Sequence, residues 1–238
     1  MNYSTLFETI KGYLENDFPA STFTDSAGTG TVTLTSTEQI NTFITQAEQR
    51  IFNTVQFPSI RKNVTGSVTT SNKYLSAPDD FLAVYSLAVV DGDGAYSYLL
   101  NKDVNFIRES FPTPTDTGLP AYYALFGPTV SGSTISNELS FLLGPTPDAN
   151  YVVELHYYYY PQSITTAASG QTWLGDNFDS VLLYGSLVEG YTFMKGESDL
   201  ITEYNAKYME ALSMAKRLGD GMERQDAYRS GQYRQKVT

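Results

Sequence analysis

The side chains in this sequence that could do chemistry are few and scattered. Asp79 and Asp80 are neighbouring carboxylates, the residue type used for general acid–base work. On an extended chain, however, neighbours point to opposite faces, and Pro78 just before them makes a turn the better reading. Asp91-Gly92-Asp93-Gly94 opens like a calcium loop, but that pattern needs a ligand at 95 and a glutamate at 102, where Ala95 and Lys102 stand. The composition is that of a hairpin turn. Gly28-Thr29-Gly30 does not match the dinucleotide fingerprint and opens no helix of a βαβ unit. His156 and Glu154 lie two apart in a strand-like run, so Glu154, His156, Tyr158 and Tyr160 share one face, and Tyr151, Val153, Leu155, Tyr157 and Tyr159 the other. Such a pair could serve a hydrolase, but no G-x-S-x-G elbow accompanies it, and a hydrogen-bonded sheet histidine is the favoured reading. The chain has no cysteine and a single histidine, which excludes thiolate zinc sites, cysteine nucleophiles and multi-histidine metal centres. The expectation is a protein with no catalytic, cofactor or metal site.

Binding chemistry is better represented. Tyr157 to Tyr160 put tyrosine on both faces of one strand, which suggests one face on a helical layer and the other against a neighbouring subunit; a carbohydrate-stacking platform is the alternative. Residues 216–238 hold six basic and three acidic side chains, whereas residues 1–215 hold nine basic and twenty-three acidic. An acidic body thus carries a basic tail. Within it, Tyr228-Arg229 and Tyr233-Arg234 are spaced five apart, and tyrosine and arginine dominate interface hot spots. The tail reads either as a frayed terminus or as an arm that orders on a partner.

Composition sets the outer bounds. Charged residues make up 17% of the 238, below the usual quarter, and Thr, Ser and Tyr fill the gap. That surface suits a chain that lives against other proteins. The formal charge of −11 argues against broad nucleic-acid binding, which needs a basic surface. The first residues lack the basic and apolar regions of a secretory signal, and no apolar run approaches the ~18 residues of a membrane span, so synthesis in a cytoplasm and no membrane partner are expected.

The elements that position these residues follow from periodicity. Leu6, Phe7, Ile10, Tyr13 and Leu14 mark a first helix within 1–16. Residues 18–34, rich in Thr, Ser and Gly, read as a loop that extends into a short strand. Ser36 and Gln39 form a capping-box pattern for a helix over 37–56, ending before Pro58. Alternating β-branched and aromatic runs between 64 and 160 predict five or six antiparallel strands, with one short helix over 101–110. Trp173 and Leu174 precede Asp176-Asn177-Phe178-Asp179, read as the acidic cap of a long helix, with Trp173 as a hydrophobic staple holding the loop 161–172. A last helix over 200–218 ends at Gly219-Asp220-Gly221. The fold class is α+β: a helical bundle from both chain ends plus a central antiparallel sheet, with an α+β domain over 1–218 (helices 1–16, 37–56 and 174–218; sheet region 64–160) and an extended arm over 219–238.

Three stretches together resemble the head-to-tail adaptor (connector) proteins of short-tailed phages, the group typified by tail tubular protein A. They are Phe43-Ile44-Thr45-Gln46-Ala47-Glu48-Gln49-Arg50-Ile51; Ala77-Pro78-Asp79-Asp80-Phe81-Leu82; and Trp173-Leu174 followed by Asp179 and Leu182-Leu183-Tyr184-Gly185-Ser186-Leu187-Val188-Glu189. The likeness spans about 37–218 and marks Trp173, Asp179, Gly185 and Glu189 as structural motif positions; Ala77 departs from the bulkier residue expected there. It implies a virion protein that assembles with its own copies into a ring, typically of twelve. That ring sits between the portal protein and a tail nozzle or tail tube protein, and DNA passes through its lumen without specific binding. It also implies that Arg224, Tyr228, Arg229, Tyr233, Arg234 and Lys236 dock on the portal.

Overall fold

The computed structural model describes residues 1–24, 30–113, 115–127, 130–131, 134–135 and 139–230, of which 130–131, 134–135 and 220–230 are described by their backbone alone. In chain order the elements are α1 (Tyr3–Leu14), β1 (Ser21–Thr24), β2 (Thr31–Leu34), α2 (Ser36–Thr54), β3 (Arg61–Val68), β4 (Tyr74–Ser76), β5 (Ala83–Val90), β6 (Tyr96–Tyr98), β7 (Leu100–Asn101), α3 (Val104–Ser110), β8 (Tyr122–Phe126), β9 (Val130–Ser131), β10 (Thr134–Ile135), β11 (Ser140–Gly144), β12 (Tyr151–Tyr158), α4 (Trp173–Asn177), α5 (Asp179–Phe193) and α6 (Ser198–Ser230). They form two compact units, Met1–Ser59 with Pro161–Thr238, and Ile60–Tyr160. The α+β class holds, and the helices of both chain ends do meet in one bundle.

In the helical unit, α5 is the centre. Val181, Leu182, Leu183, Leu187 and Val188 are buried together with Gly185, Ser186 and Gly190, so nearly every face of the helix is covered, as expected of a helix apolar all round. It packs against α1, α2, α4 and α6. The buried Ser186 hydroxyl donates back to Leu182 O at 2.8 Å, which satisfies it inside the core. α1 contributes Leu6, Ile10 and Leu14, and α2 contributes Ile40, Phe43, Ile44, Ala47 and Ile51, at the spacing of one helical face. The N-terminal ammonium donates to Gly175 O at 2.5 Å, tying the start of the chain to α4.

Local capping differs from the sequence reading in two places. The box of α2 is Thr35 with Glu38, not Ser36 with Gln39: Glu38 N donates to Thr35 Oγ1 and Thr35 N donates to Glu38 Oε2 at 2.7 Å. Gln39 is instead buried and donates to Pro19 O and Leu34 O. The acidic cap after Trp173 is also corrected. Thr172 caps α4, its Oγ1 accepting from Gly175 N, so Trp173 is the first helical residue rather than a residue before the cap, and α5 starts after Phe178 without a side-chain cap.

The second unit holds two four-stranded sheets where one was expected. Their orders are β3-β12-β5-β6 and β4-β11-β8-β7. Pairing is antiparallel except for β7 with β8, which is parallel. Between the sheets lie Val68, Phe81, Leu87, Val89, Leu99, Tyr123, Phe141, Leu143, Val153, Leu155 and Tyr157, an alternating inward set of the kind that fills a sandwich. The inward tyrosine face of β12 therefore packs into this sandwich rather than onto a helical layer. The short α3 covers the far side of the second sheet through Ile107, against Ala124 and Leu142.

Candidate functional site

The residues considered for catalysis serve turns and sheet packing. Asp91 Oδ1 accepts from Asp93 N and Ala95 N, both at 2.9 Å, and closes the β5–β6 hairpin. Asp80 accepts from Lys62 Nζ and from the Tyr157 hydroxyl, each at 2.7 Å. Partial burial opposes its charge, but these hydrogen bonds outweigh it and hold the carboxyl below its usual range. Asp80 thereby joins β3, the 77–82 turn and β12. Asp79 is exposed. His156 lies 3.1 Å from Glu154 on the outward face of β12, and Glu154 also accepts from Asn63 Nδ2 at 2.8 Å. The Asn63 bond, then that of His156, lowers the Glu154 pKa. Asn63, Glu154 and His156 thus form a hydrogen-bonded network on the surface of the sheet. Among those residues no three His, Cys, Asp or Glu are grouped to hold a metal ion.

The four motif positions sit in the helical unit. Trp173 forms an aromatic triangle with Phe57 and Phe178, its ring centroid 5.1 Å and 5.5 Å from theirs. Asp179 opens α5, where a carboxylate favours the positive end of the helix dipole. Gly185 is where three helices close in. A Cβ there would stand 3.1 Å from Ala47 Cβ on α2 and 3.2 Å from the Tyr208 ring on α6, tighter than most real contacts. One turn on, Glu189 accepts a hydrogen bond from Arg50, whose guanidinium also lies 5.9 Å from the Tyr208 ring centre. Gly185 and Glu189 thus join α2, α5 and α6.

Glu48, part of the 43–51 stretch, has a role that its sequence neighbours do not reveal. Its side chain is buried, and Oε1 accepts from Ile164 N at 2.9 Å, anchoring the 161–172 loop to α2. Burial raises its pKa, with the bonds from Ile164 and Ser163 opposing in part. The one hint in the sequence is its place, one residue from Ala47 on the apolar stripe of α2.

The tail candidates divide. The expected stop at Gly219-Asp220-Gly221 is not a stop, because α6 continues to Ser230. Gly219 is buried, and a Cβ on it would meet Gln56 O and Val55 Cγ1, each at 3.2 Å. Its lack of a side chain serves close packing rather than a cap. Arg224, Tyr228 and Arg229 lie in the last turns of α6, while Tyr233, Arg234 and Lys236 lie outside the described residues. At about 1.5 Å per residue, 33 helical residues reach about 50 Å, against about 28 Å for the 19 of α2.

A family model described as SU10 adaptor protein matches residues 1–235. No curated protein matches the chain. The match takes in both units and reaches into the tail.

Proposed function

The chain belongs to the SU10 adaptor protein family and is a phage adaptor, and on that premise we propose that it is a non-enzymatic ring component of the virion, bound to the portal through its C-terminal segment. The observation that carries this reading is α6. It holds Arg224, Tyr228 and Arg229 on a helix that runs on past Gly219, the residue packed against the end of α2. A preformed helix loses less entropy on docking than a disordered arm, so its aromatic and basic residues bind more tightly for the same contacts. Tyr233, Arg234 and Lys236 extend the same chemistry. The ring is of about twelve copies, with a tail nozzle or tail tube protein on its other side. The acidic body lines a channel that repels phosphate, so DNA passes without sticking.

The test is a truncation to residues 1–219 compared with the full chain for binding to a purified portal complex. The truncated chain should remain folded by circular dichroism and lose most portal binding. Undiminished binding by the folded truncation refutes docking through the C-terminal segment.

A second reading has one observation in its favour. Tyr96 and Tyr98 on β6 are exposed, with ring centroids 6.5 Å apart and planes 26° from parallel, and exposed amphipathic rings offer a face on which a sugar can stack. A glycan array separates the two: the adaptor reading expects no specific hit.

A further inference from the structure

Among the described residues, strand β3 pairs only with β12 and is a long, open sheet edge. Tyr159 N donates to Ile60 O, which sets the phase of the β3–β12 ladder. Residues 62, 64, 66 and 68 then bond inward to β12, and the N–H and C=O groups of Asn63, Thr65 and Ser67 point away from the sheet. Residues 62–67 are exposed. The other outer strands of the two sandwich sheets, β4, β6 and β7, are two or three residues long, whereas β3 has eight. Long edges without proline, bulge or covering element are templates for strand addition. The core-facing side of the edge is also incomplete. Val64 is 36% exposed, and a Cβ on Gly66 would meet nothing within 4 Å.

The helical unit carries a matching donor. β1 and β2 pair only with each other among the described residues. Two strands alone are marginal in water. Their register puts Phe23, Val32 and Leu34 on one face and Thr22, Thr24, Thr31 and Thr33 on the other. Phe23 and Val32 are 54% and 58% exposed, so the apolar face is uncovered. Pro19 stands two residues before β1, which leaves β2 as the edge better able to donate a ladder.

We propose that β2 of one copy adds to the open edge of β3 in a neighbouring copy, with Val32 and Leu34 covering Val64 and filling the space above Gly66. The occupant is a second copy rather than an unrelated chain because of charge. Copies with a formal charge of −11 repel, yet residues 63–72 contain no charged side chain and residues 18–37 only Asp25. These two stretches can meet without like-charge cost. Donor and acceptor are different surfaces, so the contact is heterologous and propagates head to tail, which closes into a ring when the rotation allows. A four-residue ladder is small beside the roughly 1,000 Å² of a stable pair of proteins, so it holds firmly only where many contacts close together. The proposal names the subunit contact of the ring reading and rests on it.

The absence of cysteine makes the test clean. Full-length Thr33→Cys and Thr65→Cys chains are mixed at high concentration and treated with a short bismaleimide. The mixture should give several-fold more cross-linked dimer than either variant alone, and adding Val32→Lys to the Thr33→Cys chain should remove the excess. Equal cross-linking in the mixture and the single-variant controls overturns the proposal, as does an excess that survives Val32→Lys. The same mixture assembled on portal separates the two readings. Rings without the mixed cross-link would retain the ring and reject this contact. The mixed cross-link without rings would retain the contact and reject the ring.

Discussion

The buried carboxylate of Glu48 offers the sharpest test of how the helical unit is held. It has one buried backbone partner, Ile164 N, and burial is the largest influence on its pKa. Glu48→Ala removes the acceptor and leaves a buried N–H unsatisfied, which costs about 1–3 kcal/mol. For a chain of this size that corresponds to a melting-temperature loss of about 2–12 °C. Glu48→Gln keeps an oxygen for Ile164 N and removes the charge. The sign of the pH effect follows from the raised pKa. The folded state binds the Glu48 proton more tightly than the unfolded state, so ionisation costs stability as pH rises from the ordinary glutamate value towards the raised one. Wild type and Glu48→Gln should therefore match below about pH 4 and diverge above it, the glutamine variant becoming the more stable. Urea titrations from pH 4 to 8, read by the single tryptophan Trp173 beside Phe57 and Phe178, measure this directly. A glutamine variant as unstable as the alanine variant at pH 7.5 would show that the charge itself is needed, and the reasoning would fail.

Four further outcomes follow from the same packing. Gly185→Val should destabilise the helical unit by about 1–3 kcal/mol through overpacking against Ala47 and Tyr208, measured by urea unfolding. Tyr208→Phe should be neutral or slightly stabilising, because the buried Tyr208 hydroxyl has no hydrogen-bond partner among the described residues; a loss above about 1 kcal/mol would contradict this. His156→Asn should leave folding and portal binding unchanged, since the imidazole only caps a surface carboxylate network; loss of either in binding or melting assays counts against that assignment. Charge reversal at Arg224 and Arg229 should weaken portal binding more at low salt than at high salt, because dissolved ions screen charge–charge attraction.

What was legible in the sequence was what periodicity and local chemistry encode. The apolar stripe of α2, the alternation of β12 and the turn at Asp91 follow from neighbours a few residues apart. The misreadings came from competition or distance. Thr35-Ser36-Thr37-Glu38-Gln39 contains two overlapping capping boxes, and burial of Gln39 on two backbone carbonyls decides between them. Gly219 has the composition of a helix stop, but only the fold shows Gln56 and Val55 pressed against it. The division of the strands into two sheets depends on β11 pairing with β4 and β8, across separations that no local pattern records. Resemblance marks the motif positions, but only the fold brings Gly185 and Glu189 against α2 and α6. The buried role of Glu48 needed the loop at Ile164, more than a hundred residues away.

The proposed docking of the C-terminal segment on the portal is open to direct measurement. An electron cryo-microscopy reconstruction of the full-length chain assembled with a portal complex measures it. The predicted result is a closed ring of about twelve copies, with the C-terminal turns of α6 and the residues after them buried against portal subunits. A ring attached through other surfaces, with residues 220–238 clear of the portal, would contradict the central claim.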